Sequence, residues 1–273
     1  MTAVTEIVVV DELTRPEDLS DPIALYRDVF NLRPEDPAPS RRLLTALARN
    51  GGTVLAGRKA GELVGFSYGF LGADLAGEVW SSSIYHYMEL LVVRAGHRGT
   101  GIGRALMYHL RAVILARGLC EIRWAYDPLR TDNAYFYLDV LGARGFDFAP
   151  NLYGIENTGR DRGRPTDRII ARWDLTAPAK LCPRPPAGLG VGVPEADPSA
   201  DTETVLLAVP ADIHDSAMLR QRICAALSDL IASGYQAVSC RRAEDGLAVY
   251  RFVADTVLRA PYPHNAPHRS SSG

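Results

Sequence analysis

Glu89-Leu90-Leu91-Val92-Val93-Arg94-Ala95-Gly96-His97-Arg98-Gly99-Thr100-Gly101-Ile102-Gly103-Arg104 reads as a strand, a turn and the start of a helix. Leu90 to Val93 are continuously apolar. From Ile102 onward the apolar residues Leu106, Leu110, Val113 and Ile114 recur at helical spacing, which predicts a helix over about Gly101 to Arg117. Between them, Gly99, Gly101 and Gly103 let successive main-chain N–H groups converge with no Cβ in the way. A helix N-terminus adds partial positive charge. Together these make a cradle for an anion the size of a pyrophosphate. Glycine runs also mark dinucleotide and kinase loops. A dinucleotide fingerprint, however, follows the first strand of a βαβ unit. This one lies mid-chain behind a hairpin and lacks the Lys-Ser/Thr ending of a P-loop.

Upstream, Glu6 to Val10 is an expected strand, and Asp21-Pro22 an expected helix start with Ile23, Tyr26 and Phe30 on one face. Ser40 opens a second helix that Asn50-Gly51 closes. Thr53 to Arg58 and Leu63 to Phe70 form a hairpin around Lys59-Ala60-Gly61-Glu62, and Ile84 to Val93 is a long strand. Downstream come a strand (Glu121 to Tyr126), a short helix (Asn133 to Leu141) and a strand (Arg168 to Leu175). Prolines 183, 185, 186, 194 and 198 predict a stretch without regular structure. The expected organisation is a domain over 1–176, a linker over 177–203, a C-terminal extension of strand, helix and hairpin over 204–256, and a disordered tail over 257–273.

The chain has 273 residues, 47% hydrophobic and 23% charged, with a formal net charge of -2. These are globular proportions without the field of a DNA-binding protein. No apolar run approaches the roughly 18 residues that span a bilayer. Cys120, Cys182, Cys224 and Cys240 have no zinc spacing and read as reduced thiols of a cytoplasmic protein. His264 and His268 sit in a Pro- and Ser-rich end, so no metal site is expected.

Arg98-Gly99-Thr100-Gly101-Ile102-Gly103 resembles the Arg/Gln-x-x-Gly-x-Gly/Ala signature of the GNAT acyltransferases, and the order of elements is similar as well. A closer resemblance is to a bacterial GNAT group. It runs through Trp124 to Leu129, Asn133 to Phe136, Leu141 to Ala143, Asn151 to Gly154, Pro165 to Arg168 and Val205 to Ile213. The resemblance implies an α+β fold: a mixed, mostly antiparallel sheet flanked by helices, with a small C-terminal αβ extension. It implies acetyl-CoA or another acyl-CoA as co-substrate and the amine of a small molecule, such as an amino acid, as acceptor. The pyrophosphate is then expected on Arg98, Gly99, Thr100, Gly101, Ile102, Gly103 and Arg104. The pantetheine arm is expected along Leu91 and Val93, with Asn133 bonding it or capping its own helix. Leu90 or Leu91 supplies a main-chain N–H to the thioester carbonyl.

Acid and base candidates follow. Glu89, among apolar neighbours, is expected to have a raised pKa suited to accepting a proton through water. His86 is the alternative base. Tyr85 and Tyr87 are expected to shape the acceptor pocket. The usual acid of the family is a tyrosine four residues before a glycine, but here that position is Leu138. Tyr137 and Tyr135 are the candidate substitutes. Asp167 and Arg168, near Arg160, Arg162 and Arg164, are expected either to hold a substrate carboxylate or to pair with one another. Two other readings keep the fold. One takes an aminoacyl-tRNA or carrier-protein donor, with a basic groove from Arg160 to Arg168 and Arg241-Arg242. The other is a non-catalytic CoA-binding module. A homodimer fits either.

Overall fold

The computed structural model describes residues 8–254 apart from 77–78, 156–161, 179–181, 198–199, 201–202, 212–215 and 244–245. Glu6 and Ile7 of the expected first strand, Arg160, and the expected tail with His264 and His268 lie outside them. The strands are β1 (Val8–Glu12), β2 (Thr53–Lys59), β3 (Glu62–Ala76), β4 (Val79–Val93), β5 (Glu121–Tyr126), β6 (Arg144–Ala149), β7 (Arg168–Asp174), β8 (Pro194–Ala196), β9 (Thr204–Pro210), β10 (Tyr235–Arg242) and β11 (Leu247–Ala254). They form one sheet in the order β1-β2-β3-β4-β5-β7-β6-β10-β11-β9-β8. β4 and β5 run parallel, whereas β3 pairs antiparallel with β4 and β5 with β7.

Side chains alternate across the strands and so feed two cores. On β4, Leu91 and Val93 pack into one core, Leu90 and Val92 into the other. Helix α1 (Ser20–Phe30) and helix α2 (Arg41–Arg49) cover the second core with Leu25 and Leu44. Helix α3 (Ile102–Ala116) covers the first with Ile102, Leu106 and Leu110. It lies close because β3 carries Gly65: a Cβ there would stand 2.8 Å from Ile102 Cγ2 and Leu106 Cδ1. Ser40 caps α2, its Oγ accepting from the Leu43 amide at 3.1 Å. The expected cap at Asp21 is corrected. A 3₁₀ turn, Pro16–Leu19, leads into α1, so Asp21 and Pro22 already lie in its first turn.

Three features depart from the sequence expectation. β6 is an additional strand. Gly145 and a bulge between Gly145 and Asp147 break its alternation, and a Cβ at Gly145 would meet Ile169 Cγ2 at 2.6 Å. The proline-rich stretch is not without regular structure: β8 pairs with β9. Proline fits there because β8 is the edge strand of the sheet. The C-terminal unit, with helix α5 (Ala217–Ala232), prolongs the same sheet through the pair Ala237–Gly145. It also shares the first core, where Leu207, Ile223, Tyr250 and Phe252 join Leu106 and Trp124.

Candidate active site

Among the described residues, β4 and β5 are paired only at His86–Ile122 and Tyr87–Arg123. Beyond that point they separate, although β4 runs on to Val93 and β5 to Tyr126. Main-chain groups on the facing edges of this gap are left to bond something other than each other. The glycine turn stands at its open end. Gly99 and Gly101 have φ of +74° and +92°, and a Cβ built on either meets nothing within 4 Å. The turn is therefore open, not packed shut. Thr100 Oγ1 donates to the His97 carbonyl at 2.8 Å, and Arg98 Nε to the Val93 carbonyl at 3.2 Å, which fix its shape. The first bond of α3 runs from the Ala105 amide to the Gly101 carbonyl at 2.9 Å. Among the described residues, the amides of Gly99 to Arg104 donate to no main-chain carbonyl. These are the free donors of a helix N-terminus.

Glu89 sits on a bulge. Tyr68 of β3 pairs with Leu90, but Gly69 pairs with Met88, so Glu89 is the extra residue. Solvent reaches it, yet protein surrounds it closely enough that burial raises its carboxyl above the usual range. Such a combination belongs to the wall of a cleft. Tyr68 faces it: burial, then the charge of Glu89, then Tyr26 and Tyr153 push the Tyr68 phenol up. Tyr26 comes from α1, its ring 4.8 Å from that of Phe30. These three tyrosines were missed in the sequence. They come from separate elements, and only the bulge brings a carboxylate to them.

The other strand candidates are dispersed. His86 is 0% exposed and lies on the face covered by α3. Its Nε2 is 3.1 Å from Thr53 Oγ1, and Nδ1 has no hydrogen-bond partner among the described residues. Burial, and then the charge of Arg117, lowers its pKa to about 4. It is a neutral core imidazole away from Glu89. Tyr85 is buried under the Arg123 guanidinium, 3.8 Å from its ring centroid. Arg123 in turn binds both oxygens of Asp74 at 2.6 and 2.9 Å. Tyr85 is thereby held against the Arg123–Asp74 pair. Tyr87 packs on Phe70, ring centroids 5.3 Å apart.

After β5, helix α4 (Thr131–Tyr135) begins two residues earlier than expected. Asn133 is thus inside the first turn and is no cap; it is exposed. The chain then changes winding, and Phe136–Val140 is a π turn, with the Leu141 amide donating to the Phe136 carbonyl at 3.1 Å. The two tyrosines part. Tyr135 is 46% exposed, beside Arg241. Tyr137 is 8% exposed, on the α3 face, with its ring 4.9 Å from Trp124 and 5.5 Å from Tyr126. Burial raises its phenol. Leu138 is packed in the core. Phe136 reaches Gly103, where a Cβ would stand 3.6 Å from its Cζ.

Asn151 to Gly154 and Pro165 to Arg168 interlock. Buried Thr166 accepts from the Tyr153 amide at 2.8 Å and donates to the Gly154 carbonyl at 2.9 Å. Its own amide donates to Asn151 Oδ1 at 3.2 Å. Asp167 accepts from the Asn151 amide at 2.9 Å, so its carboxylate braces this knot. The Arg168 guanidinium lies 5.5 Å from the Tyr153 ring centroid. The knot thereby presents Tyr153 toward Tyr68. Arg241 and Arg242 are paired with Asp139 and Asp132. Among the described residues no group of three or more His, Cys, Asp or Glu could hold a metal, and no helix is long and apolar enough to cross a membrane.

Residues 19–143 match the model of the acetyltransferase (GNAT) family. No curated protein matches the chain. Among solved structures it is similar to an IAA acetyltransferase from Bacillus cereus, with 16% identity, 62% of this chain and 99% of that chain covered, and a TM-score of 0.43. An N-acetyltransferase from Staphylococcus aureus gives 17%, 62%, 99% and 0.48. The ribosomal-protein-S18-alanine N-acetyltransferase from Escherichia coli gives 16%, 65%, 100% and 0.46.

Proposed function

We propose that this chain, whose residues 19–143 match the model of the acetyltransferase (GNAT) family, passes an acyl group from acyl-CoA to the amine of a small molecule. One observation carries the reading: an open glycine turn stands at the mouth of a gap between two parallel strands, with a burial-raised carboxylate on the bulge beside it. Acyl-CoA supplies an acyl group activated as a thioester. The amides of Gly99 to Arg104 fit its pyrophosphate because, among the described residues, they donate to no main-chain carbonyl and a Cβ on Gly99 or Gly101 would meet nothing within 4 Å. The exposed edge of β4 past Tyr87, including Leu91 and Val93, fits the amides of the pantetheine arm, and Asn133 lies at the rim. The amides of Leu90 and Leu91, just after the bulge, are the donors for the carbonyl oxygen.

Glu89 accepts, through water, the proton that the acceptor ammonium must lose before its nitrogen can attack. The new C–N bond forms as the C–S bond breaks. Tyr137 gives its phenolic proton to the departing sulfur, so the products are an amide and a free thiol. Acid and base then stand on opposite faces of the sheet, with the gap between them. The π turn supports Tyr137 over Leu138. A π turn uses one residue more than an α turn, which offsets the count back from Gly142 by one. Tyr26, Tyr68 and Tyr153 line the acceptor side, with the Arg168 guanidinium beside Tyr153.

Calorimetric titration with CoA, together with thiol release over a panel of amines, tests this. The expected result is saturable CoA binding and amine-dependent thiol release. Absence of CoA binding overturns it. Activity that survives without CoA but is lost to nuclease selects a tRNA donor, which the pairing of Arg241 and Arg242 with aspartates disfavours.

A further inference from the structure

Asp139 has a carboxylate buried at 2% exposure in the middle of the π turn. A buried charge is tolerated only when it is fully partnered. Among the described residues, its hydrogen-bond partners come from β10, in the C-terminal unit. Ser239 Oγ donates to Oδ1 at 2.8 Å, the Cys240 amide to Oδ2 at 2.8 Å, and Arg241 Nε to Oδ1 at 2.6 Å. β10 can offer these donors because, among the described residues, the edge that faces β6 is not paired with it past Ala237, while the other edge stays paired with β11. It pairs with β6 at Ala237, and a bulge follows between Ala237 and Ser239. Tyr137 is two residues before Asp139 on the same turn, and its own carbonyl is held by the Ala143 amide at 3.0 Å. A π turn is an uncommon winding that needs outside support to persist against the α-helical alternative. The triple contact at Asp139 supplies that support from a segment about a hundred residues away in sequence.

We infer that Asp139 is a positioning residue: clamped by Ser239, Cys240 and Arg241, it holds the π turn in the winding that aims Tyr137 into the gap between β4 and β5. The C-terminal unit is then part of the catalytic apparatus, although it offers no group to the substrate. The inference rests on Tyr137 being the acid, so the test includes Tyr137→Phe.

Four single variants and one double variant separate the outcomes. Asp139→Asn cannot accept from three donors at once. Ser239→Ala removes one of them and leaves the charge paired, and it serves if Asp139→Asn does not fold. Arg242→Ala is the control, since it cuts the exposed Arg242–Asp132 pair that links β10 to α4, away from the π turn. The expected result is a fall in kcat of about tenfold or more for Tyr137→Phe and Asp139→Asn, with KM for acyl-CoA within about twofold. Ser239→Ala is smaller in the same direction and Arg242→Ala is silent. The alkaline limb of the kcat profile disappears in Tyr137→Phe and shifts in Asp139→Asn, which a loss of stability alone would not produce. The double variant Tyr137→Phe/Asp139→Asn is no slower than the slower single. If Tyr137→Phe slows turnover while folded Asp139→Asn and Ser239→Ala do not, the clamp is wrong and the acid stands. If Tyr137→Phe is silent, the acid reading fails and the clamp falls with it.

Discussion

Glu89 is held where ionisation is disfavoured, and this has opposite consequences for rate and for stability. Its folded-state pKa is raised by burial. As a base it must be deprotonated, so the acid limb of kcat/KM lies at a higher pH than an ordinary carboxylate near pKa ~4.3 would give. Glu89→Gln should lower kcat/KM by roughly 10²-fold or more and flatten that limb, read in a pH–rate series. For stability, a carboxyl raised in the folded state favours folding fully below its unfolded pKa, and this contribution is lost as pH rises through the folded pKa. Above that folded pKa the ionised Glu89 burdens the fold. Glu89→Gln should melt at a higher temperature than the parent at pH 7 and show no such advantage near pH 3. An unchanged melting temperature at both would deny that burial acts on this group. Thr166 makes the opposite case, a buried residue whose hydroxyl serves two main-chain groups. Thr166→Val should cost about 1–3 kcal/mol by chemical denaturation, because the Tyr153 amide and Gly154 carbonyl lose their partner. It should also raise KM for the amine, since Tyr153 loses its support, and leave KM for CoA unchanged.

At the scale of elements, the glycine turn is separable from the chemistry. Gly101 needs its left-handed backbone, and a methyl there would meet no protein atom. Gly101→Ala should therefore cost about 1–2 kcal/mol of local strain with no packing clash. It should weaken CoA binding by about tenfold, read by calorimetry, and leave kcat at saturating CoA nearly unchanged, as expected for a uniform binding contact. This turn was legible because a strand period, a glycine spacing and a helix period meet within one short stretch. The bulge at Glu89 was not, since an extra residue in an apolar strand leaves no mark on composition; the family resemblance offered only the N–H donor beside it, at Leu90 or Leu91. Nor was the π turn. Its helical residues read as one helix from Asn133, and the partner that stabilises the unusual winding, β10, is remote in sequence. The acceptor wall stayed hidden for a related reason: Tyr26, Tyr68 and Tyr153 each read as ordinary aromatic residues of their own elements.

For the molecule as a whole, the sequence suggests a linker and an appended unit, whereas the sheet and the first core run through both. Tyr250 shows the connection at one atom. Its ring is fully buried, and its hydroxyl donates to the Pro128 carbonyl at 2.6 Å, tying β11 to the loop that follows β5. The buried ion pair of Arg251 with Asp197 fixes the segment before β9 to the same strand. Units that share one sheet and one core are expected to unfold together. The three tryptophans, Trp80, Trp124 and Trp173, all lie in the first unit, so their fluorescence reports on it alone. Tyr250→Phe leaves a buried carbonyl without its donor, at a cost of about 1–3 kcal/mol. If the molecule is one cooperative body, this change in the C-terminal unit lowers the urea midpoint read by tryptophan fluorescence as much as that read by far-ultraviolet circular dichroism. Two independent units would instead leave the tryptophan transition where it was in the parent. The same coupling is what lets β10 act on the π turn, since a clamp that unfolded separately from Asp139 could not hold it.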